Sequence, residues 1–300
     1  VFRSCGCCCC YCGCRMVERA AEWIKAADGI LICTGAGMGV SSGLGTFRGV
    51  NAGVWPPLVR LGIDFSEMSC PARFVEDERL AWSFWNFRYS AYTGNPPHEG
   101  YSIMKRWGET KPAGYFCFTS NIDGHWLEAQ VPEDRVIECH GSVRFMQCQR
   151  LNKECSHYDS IWPSDPASIL PMQIDPETDR VTSELPKCPG CGGTARPNVM
   201  MFSDFGVQDD RIDGQYDNFF EWRRSVKDQK KNLVVIEIGA GVAVATVRMT
   251  SEGFCRTPGA KLIRVNPEHP NVPPGIEHIS LTLGALDFCQ QVDAILNQLP

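Results

Sequence analysis

Residues 29–49, Gly-Ile-Leu-Ile-Cys-Thr-Gly-Ala-Gly-Met-Gly-Val-Ser-Ser-Gly-Leu-Gly-Thr-Phe-Arg-Gly, constrain this chain more than any other stretch. The apolar run Ile30 to Cys33 reads as a buried parallel strand, and Gly35, Gly37 and Gly39 follow at once. Lacking Cβ atoms, these glycines allow a tight turn and let backbone N–H groups approach a pyrophosphate. A glycine turn by itself is equally often a plain strand-to-helix corner. A dinucleotide fold of the simplest kind would next show an acidic residue about 20 positions on. Here a second glycine cluster follows instead, ending in Thr46-Phe47-Arg48-Gly49. A loop with an aromatic ring and a guanidinium beside a phosphate turn is suited to closing over a nucleotide.

The chain's 300 residues suffice for one large domain with a smaller module. A net charge of -6 argues against a nucleic-acid surface as its main purpose. No run of about 20 apolar residues is available to span a membrane. The cysteines fall into two sets. Cys5, Cys7, Cys8, Cys9, Cys10, Cys12 and Cys14 crowd an N-terminal segment, residues 1–15, that has no hydrophobic period and is expected to be disordered or non-native. Met16 reads as a start position, which would make this segment a translated upstream sequence. Metal binding or lipidation of its cysteines are the alternatives, and membrane contact is expected only if they are lipidated. The remaining cysteines are scattered without a signal-peptide pattern, which predicts a reducing, cytoplasmic location.

Along the chain, Val17, Ala20, Ala21 and Ile24 mark an amphipathic helix over 16–27. Residues 50–107 carry Trp, Phe, Pro and Arg in a mostly helical pattern and read as an insertion. Strands are expected at Tyr115–Thr119, Val136–Glu138, Asn198–Phe202, Leu233–Ile238, Lys261–Val265 and His278–Leu283. A closing helix at 285–298 would bury Leu286, Cys289, Val292 and Leu296. This alternation predicts an α/β fold: a doubly wound parallel Rossmann-like sheet from 16–49, 108–146 and 197–300, the helical insertion at 50–107, and a zinc-binding module at 147–196.

Three strand ends carry chemistry, because ligands of open α/β sheets sit beyond the carboxyl ends of strands. The second strand runs into Ser120-Asn121-Ile122-Asp123. Asn121 and Asp123 flank Ile122, so both are expected to face the glycine loop, where an amide and a carboxylate can bind a ribose or a carboxamide. An Asx turn capping the strand is the plainer reading. The third strand ends in Glu138-Cys139-His140-Gly141. An imidazole there, beside a glycine that leaves room for substrate, suits a general base. Cys188-Pro-Gly-Cys191 is a good zinc knuckle, and Cys148 with Cys155 is a looser second pair, for which His157 offers an alternative ligand. Four thiolates would close the coordination shell, making such a zinc structural.

Taken in order, these motifs resemble the sirtuin family of NAD-dependent protein deacylases. Gly35-Ala36-Gly37 through Phe47-Arg48-Gly49 matches its first motif, and Thr119 to Asp123 its Thr-Gln-Asn-Ile-Asp motif, with Ser120 in place of glutamine. His140-Gly141 matches its catalytic histidine, the cysteine pairs its zinc module, and Arg196-Pro197-Asn198-Val199 the strand beyond. Gly239-Ala240-Gly241 stands where the family has Gly-Thr-Ser, and Asn266 matches its late ribose-binding asparagine. Gly45-Thr46 replaces Pro-Asp before Phe-Arg, as in the branch acting on acidic acyl groups. That branch also carries a Tyr-x-x-Arg pair, and Trp85-Asn86-Phe87-Arg88 here keeps only the arginine.

The resemblance implies one structural zinc, NAD, and an acyl-lysine protein or peptide as substrate. It implies that the acyl oxygen attacks C1′ of the nicotinamide ribose and that nicotinamide leaves. His140 would then take a proton from a ribose hydroxyl, giving free lysine and O-acyl-ADP-ribose. Asn121 and Asp123 would position ribose and nicotinamide, Phe47 would shield the sugar cation, and Arg48 would balance phosphate charge. Gly35, Ala36, Gly37, Thr46, Ser120, Ile122, Gly239, Ala240, Gly241 and Asn266 would complete the NAD site, with Trp85 and Arg88 at the acyl group. ADP-ribosyl transfer or NAD hydrolysis in the same pocket, and a non-enzymatic NAD-binding module, are the alternatives. A dehydrogenase is disfavoured because the acidic ribose partner is absent at its spacing.

Overall fold

The computed structural model describes residues 8–46, 55–149, 155–229 and 231–298. Its strands, in chain order, are β1 (Gly29–Thr34), β2 (Tyr115–Thr119), β3 (Val136–Glu138), β4 (Gly141–Cys148), β5 (Ile161–Pro163), β6 (Ala195–Val199), β7 (Leu233–Ile238), β8 (Ala260–Val265) and β9 (His278–Leu281). Its helices are α1 (Cys8–Ala26), α2 (Pro57–Leu61), α3 (Phe65–Met68), α4 (Pro71–Glu76), α5 (Glu78–Gly94), α6 (Gly100–Glu109), α7 (His125–Glu128), α8 (Pro166–Ile169), α9 (Asp210–Asp228), α10 (Thr246–Cys255) and α11 (Ala285–Leu296). A 3₁₀ segment, Ala36–Ser42, follows β1.

Six strands form a parallel sheet in the order β3-β2-β1-β7-β8-β9. Both faces are covered, which is why the strands read as mostly apolar runs. Ile30, Ile32, Cys117, Val234, Ile236 and Ile263 share one core with residues of α1, α6 and α11. Leu31, Cys33, Phe116, Phe118, Val235 and Leu262 share the opposite core with residues of α9 and α10. The expected doubly wound sheet is therefore present.

A second, antiparallel sheet has the order β5-β4-β6. Its Val143, Met146, Ala195 and Val199 pack into one core with Trp82, Phe84 and Trp85 of α5. The Trp82 indole donates to the Ala195 carbonyl at 3.0 Å. The helical insertion and the cysteine-bearing module thus bury their apolar surfaces against each other.

Four expectations need correction. Helix α1 starts at Cys8, so much of the 1–15 segment is helical rather than structureless; residues 1–7 lie outside the described residues. The strand expected at Asn198–Phe202 is β6, which ends three residues earlier at Val199 but starts at Ala195, and it pairs antiparallel with β4, not within the parallel sheet. Helix α6 sends Tyr101, Ile103, Met104 and Trp107 into the main core, so it packs with the sheet, not with the insertion that was expected to reach residue 107. On α11 the buried face is Ala285, Phe288, Cys289 and Val292, while Leu286 and Leu296 are only half-buried.

Candidate active site

A cleft of about 1180 Å³ opens where the carboxyl ends of β1, β2, β7 and β8 meet the smaller module. This is where an open α/β sheet binds ligands. Its wall includes Gly35, Ala36, Gly37 and Thr46 after β1, Ser120 to Asp123 after β2, His140 after β3, Gly239 and Gly241 after β7, and Asn266 after β8. Trp85 and Arg88 come from α5, and Met200 to Phe202 from the chain beyond β6. The site residues expected from scattered motifs thus share one cavity. Phe47 and Arg48 lie outside the described residues.

The glycines also serve a purpose that the sequence did not show. Gly35 donates to the Ile238 carbonyl and Gly37 to the Gly239 carbonyl, each at 3.0 Å, so these N–H groups are engaged within the protein. A Cβ on Gly37 would stand 2.6 Å from the Gly239 Cα. Close approach of the two loops is what demands glycine here. Gly239 also has a φ of +63°. Gly239→Ala is expected to cost roughly 1–2 kcal/mol for the left-handed backbone alone, or about 2–8 °C in melting temperature for a chain of this size. An unmoved melting curve would show that the loops separate freely.

Ala240 is not on the cleft wall. It is buried behind it, and its carbonyl accepts from the Asn266 side-chain amide at 2.9 Å. The Asn266 Oδ1 in turn accepts from the backbone of Glu268 and His269 at 3.0 Å each. The asparagine expected to bind ribose therefore also fastens two loops together.

Strand β2 stops at Thr119, so residues 120–123 are not an extended strand and the expected alternation does not apply: Ile122 lines the cleft with its neighbours. Asn121 N–H donates to Thr119 Oγ1 at 3.1 Å. Asp123 is buried, and its Oδ1 caps α7 by accepting from His125 N–H at 2.9 Å. Burial pushes the Asp123 carboxyl up, opposed by His125 and Arg144.

His140 joins the cleft wall from just beyond the end of β3. Gly141 follows with a φ of +74° at the start of β4. Burial lowers the His140 pKa, and a hydrogen bond to the Ser120 backbone partly opposes this. The ring therefore stays neutral near pH 7, as a proton acceptor must. Because Ser120 serves through its backbone, replacing the expected glutamine leaves this contact in place. Beyond His140, Arg196 and Asp204 form a fully buried pair at 2.7 and 3.0 Å. Asp204 also accepts from Met201 N–H at 3.3 Å and so shapes the Met200–Phe202 wall.

Arg88 lies among rings, 5.0 Å from the centroid of Phe65, 5.2 Å from Tyr92, 5.7 Å from Phe84 and 5.8 Å from Trp85. It donates a hydrogen bond to the Tyr92 hydroxyl. Tyr92 lines the cleft and was not singled out from sequence, although its i, i+4 spacing from Arg88 was there to be read. Phe65 comes from another helix, and nothing local points to it.

Cys148, Cys155, Cys188 and Cys191 come together with all four Sγ atoms within 4.8 Å of one another. The Cys148–Cys191 and Cys155–Cys188 separations are 3.7 and 3.5 Å. A tetrahedron with Zn–S of about 2.3 Å has edges of roughly 3.8 Å, so the donor set fits a structural zinc. The Cys191 thiol is drawn down to about 7, chiefly by the Gly193 backbone N–H. The alternative ligand His157 instead turns its ring edge-on to Trp162, 5.8 Å away.

A model of the Sir2 family matches residues 35–245. A protein of Aeropyrum pernix named NAD-dependent protein deacylase is 29% identical over 259 residues, covering 86% of this chain and 89% of that protein. One of the same name from Aquifex aeolicus is 25% identical over 239 residues, covering 80% and 83%. In fold, the structure resembles that of a Sir2 homologue in complex with NAD, with a TM-score of 0.67 at 21% identity, covering 94% of this chain and 95% of that one. The family match spans the glycine loops, the Asn121–Asp123 turn, His140 and the four cysteines, and the chain belongs to the Sir2 family.

Proposed function

We propose that this chain is an NAD-dependent protein lysine deacylase that releases nicotinamide and O-acyl-ADP-ribose. The observation that carries this reading is a neutral imidazole, His140, sharing one cleft with Asn121, Asp123 and the paired glycine loops. NAD would enter as substrate, its reacting ribose between Asp123 and His140. Asn121 and Asp123 hold that ribose and the nicotinamide, His140 removes a hydroxyl proton, and the apolar wall keeps water from the sugar cation. The peptide would lie extended against the Met200–Phe202 edge. The relatives' names support the activity. One structural zinc on the four thiols, and a reducing cytoplasmic location, belong to the same reading.

The test is a mass-spectrometric assay of acyl-lysine peptides incubated with NAD. Deacylated peptide, nicotinamide and O-acyl-ADP-ribose are the expected products. ADP-ribose attached to protein without acyl-ADP-ribose would replace the reading by ADP-ribosyl transfer.

For the acyl group, the reading is an acidic one such as succinyl or malonyl. A guanidinium offers a planar fork to a carboxylate and nothing comparable to an acetyl methyl. The Trp85 indole N–H is buried in the cleft wall with no hydrogen-bond partner, so it is a further donor. Tyr92 supplies the hydroxyl that position 85 lacks, and burial raises its pKa, keeping it a neutral donor. A charge-assisted hydrogen bond is worth roughly 1.5–3 kcal/mol, about 10- to 150-fold in selectivity. Arg88→Met is expected to remove about 10-fold of the succinyl-over-acetyl preference in kcat/KM. An unchanged ratio in paired peptide kinetics would make Arg88 a packing residue only.

A further inference from the structure

Among the described residues, the adjacent strands β7 and β8 carry a fully buried ion pair, Glu237 with Arg264, bidentate at 2.7 and 2.8 Å. Burying two charges in the centre of a sheet is expensive and is tolerated only when every polar atom is engaged. Here they are. Arg264 also donates to Glu252 of α10 at 2.6 Å and to the Asn271 carbonyl at 2.5 Å. Glu237 accepts from the Ser251 hydroxyl, whose oxygen also lies 3.0 Å from the Arg248 carbonyl. The pair thus sets the position of α10 and of one loop after β8.

Arg248, one turn earlier on α10, makes the functional connection. Its Nε donates to the Ala240 carbonyl at 3.1 Å and its Nη2 to the His269 carbonyl at 2.5 Å. Ala240 belongs to the loop after β7 and His269 to the loop after β8. The residues around these carbonyls, Gly239 and Gly241 on one side and Glu268 and His269 on the other, wall the cleft. The next two carbonyls of the second loop are held as well, Pro270 by the Ser280 hydroxyl at 2.7 Å and Asn271 by Arg264. An irregular loop is thereby fixed through three successive carbonyls, by donors from α10, β9 and β8.

These two loops stand at the end of the cleft away from His140. From β3 to β8 the sheet makes four steps of about 4.8 Å, on the order of 19 Å. With the reacting ribose at the β2–β3 end, the adenosine half of an extended dinucleotide falls at the β7–β8 end. We infer that Arg248 is a positioning residue for the adenosine half of NAD: it ties the two loops that wall this end of the cleft and so sets nucleotide affinity without touching the reacting atoms. This rests on the functional reading above.

The test titrates the wild-type chain, Arg248→Met and Arg248→Lys with NAD, ADP-ribose and nicotinamide by calorimetry, alongside steady-state kinetics and melting curves. Arg248→Met is expected to weaken NAD and ADP-ribose about 10-fold and to raise KM for NAD equally. Nicotinamide affinity, and kcat at saturating NAD, are expected to stay within about twofold. Arg248→Lys, which can reach one carbonyl but not both, is expected to fall between. It also carries the test if the methionine variant fails to fold. Unchanged NAD and ADP-ribose affinity, or a loss in kcat with KM unmoved, would overturn the inference. Absence of NAD binding by the wild-type chain would instead overturn the functional reading, and this inference with it.

Discussion

His140→Ala is expected to lower the lysine deacylation rate by roughly 10²- to 10⁴-fold, the range a general base contributes. The ring stands just beyond the end of β3 and lines the same cleft as the glycine loops. Its proposed role is to remove a proton rather than to hold the nucleotide, so NAD affinity should change little. Its pKa is lowered because burial disfavours the imidazolium. The sign follows directly: the base form is the active one, so a lowered pKa keeps activity at more acidic pH. In kcat/KM against pH, the acidic limb should therefore fall below the ordinary histidine range of about 6.5, with a plateau above it. Steady-state kinetics of the purified variant and calorimetric NAD titration check both parts. A variant that deacylates at the wild-type rate would remove His140 from the mechanism.

The second large effect is on the thiol cluster. One zinc per chain is expected by metal analysis, and Cys188→Ser should unfold the smaller module, because metal binding and folding are coupled in such sites. The knuckle holds its turn with few other supports. Cys188 N–H donates to the Gly193 carbonyl at 2.7 Å, and Gly192 N–H to the Cys188 carbonyl at 2.9 Å. Among the described residues, the apolar side chains packed around the thiols are Tyr158 and Trp162. Strand β4 runs from Gly141, beside His140, to Cys148 in the cluster. Zinc removal by a strong chelator should therefore lower activity as well as the melting temperature, although the thiols sit at the other end of β4 from His140. Folded, active protein without zinc would end this reading.

The parts of the fold that were legible in the sequence are those with local causes. Strands β2, β3 and β7 coincide with their expected bounds because a strand covered on both faces is apolar at most positions, Glu138 and Glu237 being buried exceptions held by ion pairs. The face of α1, with Val17, Ala20, Ala21 and Ile24, is legible because burial on a helix has a period of 3.6. His140 and the knuckle were legible because their chemistry is carried by adjacent residues. Strands β4 and β5 were not, since β4 is interrupted by a register shift between Ser142 and Met146 and β5 is only three residues long and partly exposed.

By itself, then, the order of residues determined the parallel sheet, the strand ends that carry Asn121, Asp123 and His140, and the four cysteines. Each of these follows from which side chains sit within a few positions of one another. Only the tertiary structure decided which distant pieces meet. It set Gly37 against Gly239, so that loop contact by itself requires glycine there. It placed Tyr92 and Phe65 around Arg88, and it packed α5 onto the smaller sheet. It spent Asn266 on two loops and put Arg248 across the same pair. The physical reason is that local pattern encodes whether a residue is buried, while its partner is chosen by how the strands are ordered and how the modules close on one another.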